Sequence, residues 1–240
     1  MSEIITVRHC QGLAEYEQLT GLEQRIWGCD EREATPAHIA LIAAKTGGQV
    51  LGAFAGEEMI GFSLAFVACH YGVTHLHSHL TGVVKEWQNA GVGFQLKRAQ
   101  RADALARGFT LMEWTFDPFA LRNAWFNVMK LGATVRRYVP NLYGVTTSAL
   151  HGGLPTDRFI AEWQMDSPRV QAALAGQPLN VSSECLRIAV PLNLQAEPQA
   201  VVLQARLRRE FEKHFAAGYA VVGLEKNEST AAYLLQPSPP

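Results

Sequence analysis

The chain has 240 residues, of which 48% are hydrophobic and 18% are charged. This composition is typical of a folded protein with one large core or two small ones, and it excludes a disordered chain. The formal net charge is −1, so the chain has no overall attraction to nucleic acid or to an acidic membrane, and we expect neither as a partner.

The N-terminus and the cysteines indicate the compartment. The first ten residues, MSEIITVRHC, lack the apolar core of a signal peptide, and the longest apolar stretch, IGFSLAFVAC, is too short for a membrane-spanning helix. Cys10, Cys29, Cys69 and Cys185 are scattered without a C-x-x-C pair, which argues against a zinc or redox site. We therefore expect a cytoplasmic protein with no bound metal.

The first half of the chain alternates helical and strand patterns. Residues 11–27 form an amphipathic pattern that ends at a glycine, and Thr35 and Pro36 are typical of the start of a second helix. The stretch QVLGAFAGEEMIGFSLAFVAC predicts a β-hairpin, and THLHSHLTGVV predicts a further strand. A helix over residues 90–107 and a buried strand, FTLMEWTF, follow. This strand–helix–strand unit predicts at least one pair of parallel strands.

The middle of the chain continues in the same way. Asp117 and Pro118 predict the start of a helix that ends at Leu131, before Gly132. The stretches VRRYVPNLYG and RFIAEWQM are typical of strands. The order of these elements predicts a mixed α/β fold.

The composition shifts after Ser167 and Pro168, where ALAGQPLNVSS is typical of a linker. A strand, a helix near residues 199–215 and two further strands then predict a βαββ extension. We expect one domain over residues 1–167 and the extension over residues 180–236. The extension is interpreted as a diminished second half, a cover for an acceptor pocket or a homodimer contact, and these alternatives stay open.

The stretch QNAGVG, residues 88–93, places two glycines at the start of a predicted helix. The first amides of a helix have no partner inside it, and with the helix dipole they attract anions. Gly91 and Gly93 have no Cβ, so a phosphate can approach closely, and Gln88 adds a side-chain donor. Neither a P-loop nor the third glycine of a dinucleotide fingerprint is present. Alone, the pattern fits a pyrophosphate site or an ordinary turn into a packed helix.

In its context the stretch resembles motif A of the GNAT superfamily of CoA-dependent N-acyltransferases. The family pattern Arg/Gln-x-x-Gly-x-Gly/Ala is present as Gln88, Gly91 and Gly93, and Val83 closes the preceding strand. The stretch NAWFNVMKLGA is similar to the family's closing helix at four positions: Asn123, Phe126, Leu131 and Gly132. Seven blocks are also similar, in order, to one subgroup of the superfamily: HSHLTGVV, LKRAQRADALARG, WTFDP, RNAWFN, KLGA, RRYVPNLYG and GLPTDRFIAEW.

The resemblance implies a fold in which two central parallel strands, residues 74–84 and 109–116, splay apart around acetyl-CoA or another acyl-CoA. It implies that the main chain of Gly82, Val83 and Val84 pairs with the pantetheine arm. The other cofactor-binding residues that it implies are Gln88, Asn89, Ala90, Gly91, Val92, Gly93, Asn123 and Phe126. Three basic residues on the predicted polar face of the helix are candidates for the ribose phosphate, with a solvated face as the alternative: Lys97, Arg98 and Arg101.

The implied reaction is the attack of an amine on a thioester. A base is needed because only about one lysine-type amine in 2,500 is neutral at pH 7. His75, His77 and His79 share one strand face by the period of two, and His77 and Glu113 are the candidate bases. Packed histidines or a metal site are the alternatives for the histidines, and a buried partner is the alternative for Glu113.

Phe126 stands where many GNAT enzymes carry the tyrosine that protonates the leaving thiolate. Tyr138, Tyr143 or water would take that role here. Three arginines are candidates to receive a carboxylate from an amino-acid acceptor or from succinyl-CoA, with loop stapling by Arg158 as the alternative: Arg136, Arg137 and Arg158. The resemblance therefore implies acetyl or succinyl transfer to the amine of a small molecule. Phe126 favours the alternative, a non-catalytic acyl-CoA-binding protein.

Overall fold

The computed structural model describes residues 4–70, 72–144 and 153–238. These residues form two compact units, one from the chain up to Met112 and one from Glu113 onward. Each unit combines antiparallel strands with helices, so the predicted mixed α/β class is confirmed.

The first unit contains β1 (Ile5–His9), α1 (Gly12–Trp27), α2 (Ala37–Lys45), β2 (Gln49–Ala55), β3 (Glu58–His70), β4 (Val73–Val83), a 3-10 turn (Lys85–Trp87) and α3 (Val92–Ala106). β5 (Leu111–Phe116) begins in the first unit and ends in the second. The second unit continues with α4 (Leu121–Trp125), a π-helical turn (Phe126–Lys130), β6 (Thr134–Val139), β7 (Arg158–Gln164), α5 (Pro168–Leu174), β8 (Leu186–Val190), α6 (Ala200–Ala216), β9 (Tyr219–Lys226) and β10 (Ala231–Pro237).

The sheet of the first unit has the strand order β1-β2-β3-β4, and all three pairs are antiparallel. The predicted hairpin is confirmed as β2 and β3, and its turn places Gly56 at a φ of 58°, where glycine is favoured. β1 was not predicted from the sequence. It exists because its five residues pair with β2 at the edge of the sheet.

Helices cover both faces of this sheet. Trp27, at the end of α1, makes an edge-to-face contact with Phe62 on β3, with ring centroids 5.8 Å apart. On the other face a Cβ built on Gly61 would lie 3.4 Å from Leu96 of α3. The two faces are therefore an α1 face and an α3 face, and side chains of β4 alternate between them.

A β-bulge interrupts the pairing of β3 with β4. Leu64 lies opposite Leu80, and Ala65 lies opposite Ser78, so His79 is the extra residue on β4. Such a bulge bends the strand and redirects the side chains beyond it. It separates the Gly82–Val83 end of β4 from its histidine-rich part.

The second unit joins the predicted extension to the middle of the chain. Its strand order is β7-β6-β9-β10-β8, and β6 pairs with β9 through Val135 and Val221. The predicted βαββ order is confirmed. A cluster of aromatic rings under α6 forms part of this core: Tyr138, Phe159, Phe211, Phe215 and Tyr233. The division predicted at residue 167 lies inside this unit.

Two predicted segments differ from the structure. The helix predicted from Asp117 begins only at Leu121, because the Asp117 carboxylate accepts the Phe119 amide in a local turn, and it becomes a π-helical turn after Trp125. The segment interpreted as a linker, residues 173–183, overlaps only the end of α5, a helix that was not predicted. The Ser167 hydroxyl caps this helix by accepting the Val170 amide.

Candidate functional site

The start of α3 presents main-chain amides to an open surface. Gly91 is the N-cap residue at a φ of 82°, and the first helical bond runs from the Gln95 amide to the Gly91 carbonyl over 3.0 Å. A Cβ on Gly91 would meet nothing within 4 Å, and one on Gly93 would meet only Val83 Cγ2, at 3.9 Å. Neighbouring side chains therefore leave this helix start open.

The local backbone suits an anion. Asn89 adopts a φ of 69° and Gly91 a φ of 82°, so the chain turns twice through the left-handed region before the helix begins. Turns of this type direct successive amides into one concavity, and the helix dipole adds a partial positive charge there. No side chain caps α3. The observed cradle therefore fits a phosphate group.

Three of the residues predicted to contact the cofactor also form local hydrogen bonds. The Gln88 side chain donates to the Val83 carbonyl over 3.1 Å. The Ala90 amide donates to the Trp87 carbonyl over 3.4 Å. Val84 is buried, its amide donates to the Ile60 carbonyl and its own carbonyl accepts the Trp87 amide.

The bulge in β4 determines where the histidines point. His77 lies opposite Phe66 of β3, and the rings of His77 and His79 lie 6.3 Å apart. Phe66 and Phe62 are four residues apart on β3, so their side chains point to the same face, which is the α1 face. His79 contacts Phe66 and His77 lies beside His79, so both histidines lie on the α1 face. Ser78 points to the α3 face, where it contacts α3. The predicted sharing of a face by His77 and His79 is confirmed.

His75 completes the run but is buried, with Nδ1 3.2 Å from the Val73 carbonyl. In the described part of the chain, no group of three or more histidine, cysteine, aspartate or glutamate side chains is placed to hold a metal ion. The same residues include no helix that is both long and apolar enough to cross a membrane.

Lys97 does not lie on a polar face, and that expectation is wrong. It is only 3% exposed, and its Nζ donates to Ser78 Oγ over 2.8 Å. Burial lowers the pKa of its amine to about 7. The buried side of α3 includes Lys97, Gln100 and Ala104. The sequence contains no direct signal for this, because lysine is rarely buried.

Charged side chains of the second unit neutralise one another. Glu113 forms a short ion pair with Arg137, whose Nε lies 3.4 Å from Glu162. Arg136 binds the other oxygen of Glu162 over 2.7 Å and also donates to Ser238. Arg136 and Arg137 therefore bind carboxylates of the chain itself, and Glu113 forms an ion pair with Arg137.

The two candidate tyrosines differ. Tyr138 is buried and donates to Asp157 over 2.7 Å, and burial together with this carboxylate raises the pKa of its phenol. Tyr143 is 46% exposed, and its hydroxyl lies 2.8 Å from Thr115 Oγ1 on β5. The guanidinium of Arg158 lies over the Tyr143 ring, 5.2 Å from its centre. Thr115 carried no sequence signal that could have identified it.

Asp157 binds the described segment that follows β6. Its carboxylate accepts the Asn141 amide over 2.9 Å and lies 3.5 Å from Arg208 Nε. Asn123 is exposed on α4, and Phe126 is half-buried at the start of the π-helical turn. Both belong to the second unit, as do the two tyrosines.

No protein-family model matches the sequence, and neither does any curated protein. Solved structures do match. YncA from Salmonella typhimurium, with its cofactor acetyl-CoA, is 16% identical over 68% of this chain and 95% of its own, with a TM-score of 0.54. A GNAT family acetyltransferase from Elizabethkingia anophelis, with acetyl-CoA bound, is 16% identical over 68% and 99%, with a TM-score of 0.51.

The ribosomal-protein-S18-alanine N-acetyltransferase from Escherichia coli is 16% identical over 68% of this chain and 96% of its own, with a TM-score of 0.51. At these identities the likeness concerns the fold. It agrees with the motif at residues 88–93 and with the order of elements in the chain. The chain therefore has the mixed α/β fold of the GNAT acetyltransferases, as its motifs predicted.

Proposed function

We propose that this protein is a CoA-dependent N-acyltransferase that moves an acyl group from acyl-CoA to the amine of a small molecule. The observation that carries the proposal is the open, amide-lined start of α3 beside the end of β4. The fold supports it, because matching structures from Salmonella typhimurium and Elizabethkingia anophelis contain acetyl-CoA.

The amides at Gly91, Val92 and Gly93 would hold the pyrophosphate. Each contact between a charge and the helix dipole contributes about 0.3–1 kcal/mol when exposed and up to about 2 kcal/mol when partly buried. Several together account for micromolar affinity, on the order of −8 kcal/mol. Gly82 and Val83, at the end of β4, would border the pantetheine arm, whereas Val84 is committed to the 3-10 turn.

The thioester supplies an activated acyl carbon. The amine nitrogen bonds to that carbon as the carbon–sulfur bond breaks, the amine loses a proton and the thiolate gains one. His77 is the favoured base because it lies on the α1 face of β4, whereas Glu113 is held by Arg137. Tyr143 is the favoured acid because its hydroxyl is exposed, whereas the Tyr138 hydroxyl is committed to Asp157.

A substitution at Gly93 tests the pyrophosphate site. In Gly93→Glu the new carboxylate interacts favourably with the positive end of the α3 dipole, and glutamate is a better helix former than glycine. We therefore expect the free energy of unfolding to rise by about 1 kcal/mol. The same charge repels pyrophosphate, so we expect CoA affinity to fall by about tenfold or more. Urea unfolding and calorimetric titration with CoA measure the two effects.

Two further variants serve as controls. Gly93→Gln has the bulk of glutamate without its charge and should weaken CoA binding less. Gly93→Ala keeps the family pattern, gains helix stability and should still bind CoA, since a Cβ there meets only Val83 at 3.9 Å. Wild-type affinity in Gly93→Glu would contradict a pyrophosphate at this helix start.

The second candidate function is a non-catalytic acyl-CoA-binding protein, which Phe126 favours because phenylalanine has no proton to donate. Release of free thiol from acetyl-, propionyl- and succinyl-CoA, with and without a panel of amines, separates the two. CoA binding without any amine-dependent thiol release would contradict the acyltransferase and support the non-catalytic binding protein.

A further inference from the structure

A buried polar cluster joins β4 to α3, and the proposed reaction does not use it. The Lys97 amine donates to Ser78 Oγ over 2.8 Å, and the Gln100 side-chain amide lies 3.3 Å from the same hydroxyl. All three residues are more than nine-tenths buried. Burying such groups costs free energy, so a cluster of this kind in a ligand-binding fold is a candidate functional site.

The amine of Lys97 is poised to change its charge. Burial lowers its pKa to about 7, so at about pH 8 and above most molecules carry an uncharged amine there. An anion placed beside the amine would favour the ammonium form and form a buried ion pair. Such a pair is stable only when hydrogen-bond donors satisfy the remaining oxygen lone pairs.

Two further hydroxyls supply donors of this kind. A Cβ on Gly61 would lie 3.3 Å from Val83 Cγ2 and 3.4 Å from Leu96, so these positions of β3 and β4 face α3. Ser63 and Thr81 lie two residues from Gly61 and Val83 and directly opposite each other. Both hydroxyls are buried, and within the described residues neither has a hydrogen-bond partner. Hydroxyls and an amine on one face suit a carboxylate.

The cluster lies at the depth that an acyl group would reach. Ser78 and Val83 lie opposite Ala65 and Gly61 of β3, so four paired steps, roughly 13 Å, separate them along the strand. This resembles the extended length of the pantetheine arm, which begins at the pyrophosphate. Under the proposed function the pyrophosphate lies at residues 88–93, and Gln88 ties that segment to Val83. An arm that follows β4 would therefore end near the bulge, beside Ser78.

We propose that Lys97 and Ser78 form a subsite for an acyl group that ends in a carboxylate, so that the donor is the CoA thioester of a short dicarboxylic acid. The inference rests on the proposed function and names its donor class. It replaces the predicted role of Arg136 and Arg137, whose guanidinium groups bind Glu162 and Glu113. The transfer itself is unchanged, because the terminal carboxylate takes no part in breaking the carbon–sulfur bond.

Calorimetric titration at pH 8 tests the subsite with succinyl-CoA, acetyl-CoA and CoA, in two buffers that differ in ionisation enthalpy. We expect succinyl-CoA to bind at least about tenfold more tightly than acetyl-CoA. We also expect succinyl-CoA alone to take up close to one proton, since its carboxylate would charge the Lys97 amine. Neither readout depends on turnover.

Variants assign the effect to the cluster. Methionine has nearly the same shape as lysine but no amine. In Lys97→Met the affinities for succinyl-CoA and acetyl-CoA should therefore become equal, and the proton uptake should disappear. Ser78→Ala keeps the Lys97 amine but removes one hydrogen-bonding group. It should therefore reduce the preference for succinyl-CoA over acetyl-CoA and retain the proton uptake. Lys45→Met removes an exposed lysine at the end of α2 and should behave as wild type. Circular dichroism checks that each variant is folded.

The outcomes separate this inference from the proposed function. If CoA and both thioesters bind equally, without proton uptake, the carboxylate subsite is overturned and the acyl-CoA site stands. A preference that survives in Lys97→Met also overturns the subsite. If neither CoA nor a thioester binds, the proposed function fails and the subsite fails with it.

Discussion

Tyr138 and Tyr143 are five residues apart and carry the same phenol, but their surroundings differ. Tyr138 is packed between Phe159 and Phe211 and donates to the buried Asp157. Tyr143 is half exposed and contacts Thr115. An acid that protonates a leaving group must reach it and must exchange its proton with solvent. This favours Tyr143, and the sequence did not separate the two.

Phenylalanine substitutions separate the two roles. Tyr143→Phe should lower the turnover number by about 10²-fold or more, because a positioned acid contributes that much, with little change in unfolding free energy. Tyr138→Phe should cost about 1–3 kcal/mol of stability, because Asp157 loses a buried donor. Steady-state kinetics and urea unfolding measure the two effects. Full turnover in Tyr143→Phe would assign thiolate protonation to water.

Packing between α5 and the end of the π-helical turn shows how one glycine positions an element. Gly132 adopts a φ of 76°, and a Cβ there would lie 2.9 Å from the Ala173 Cβ. Its carbonyl accepts Arg169 Nε over 3.0 Å, and Arg169 also binds the Val222 carbonyl. Burial lowers the pKa of Arg169 to about 10. Gly132 therefore allows α5 to lie close to the turn and to β9.

Gly132→Ala should destabilise the protein by about 1–2 kcal/mol through its left-handed backbone and by a further 1–3 kcal/mol, roughly, through overpacking against Ala173. Gly176→Ala is the matched control, since Gly176 has a φ of 70° and open space around it. It should show only the backbone cost. Urea unfolding of both variants measures the difference, and equal losses would contradict close packing at Gly132.

Elements with complete local signals were predicted from the sequence, and elements that depend on distant partners were not. The β2–β3 hairpin has two apolar strands and a Gly-Glu turn within 22 residues. β1 is formed by pairing with β2, which lies about 45 residues later in the chain, and its own sequence does not predict a strand. α5 had a signal in Ser167 and Pro168, but the glycine, proline and serine residues after it favoured a linker.

At the scale of the whole molecule, the C-terminal extension belongs to the compact unit that contains β6 and β7. Val135 of β6 lies opposite Val221 of β9, so the sheet continues from the middle of the chain into the extension. Tyr233 of β10 donates to the Pro118 carbonyl and packs against Phe159. These contacts make the extension part of the core of the second unit.

The pH dependence of folding follows from groups that titrate differently in the folded and unfolded chain. The pKa of Lys97 falls from 10.5 to about 7 on folding, so between these values the unfolded chain binds more protons. Stability therefore rises with pH in this window, by up to about 1.4 kcal/mol per pH unit. Burial raises the pKa of Cys10 from 9.0 to about 12, which has the opposite effect above pH 9.

Urea unfolding of the wild type and of Lys97→Met between pH 7 and 9 isolates the lysine. We expect the wild type to gain stability relative to the variant by about 2–3 kcal/mol across this range. Below pH 7 both states hold the proton, so the difference should become constant. Lys45→Met should follow the wild type at every pH, and parallel curves for the wild type and Lys97→Met would contradict a neutral amine.

The fold class, the glycine-rich helix start and the resemblance that points to acyl-CoA can all be predicted from the sequence, because short-range spacing encodes turns, caps and periodicity. The burial of Lys97, the binding of Arg136 and Arg137 to carboxylates of the chain, and the exposure of Tyr143 but not of Tyr138 follow from tertiary contacts. Burial and charge pairing depend on neighbours that are distant in the chain, and these neighbours change the chemistry of a side chain whose identity is the same.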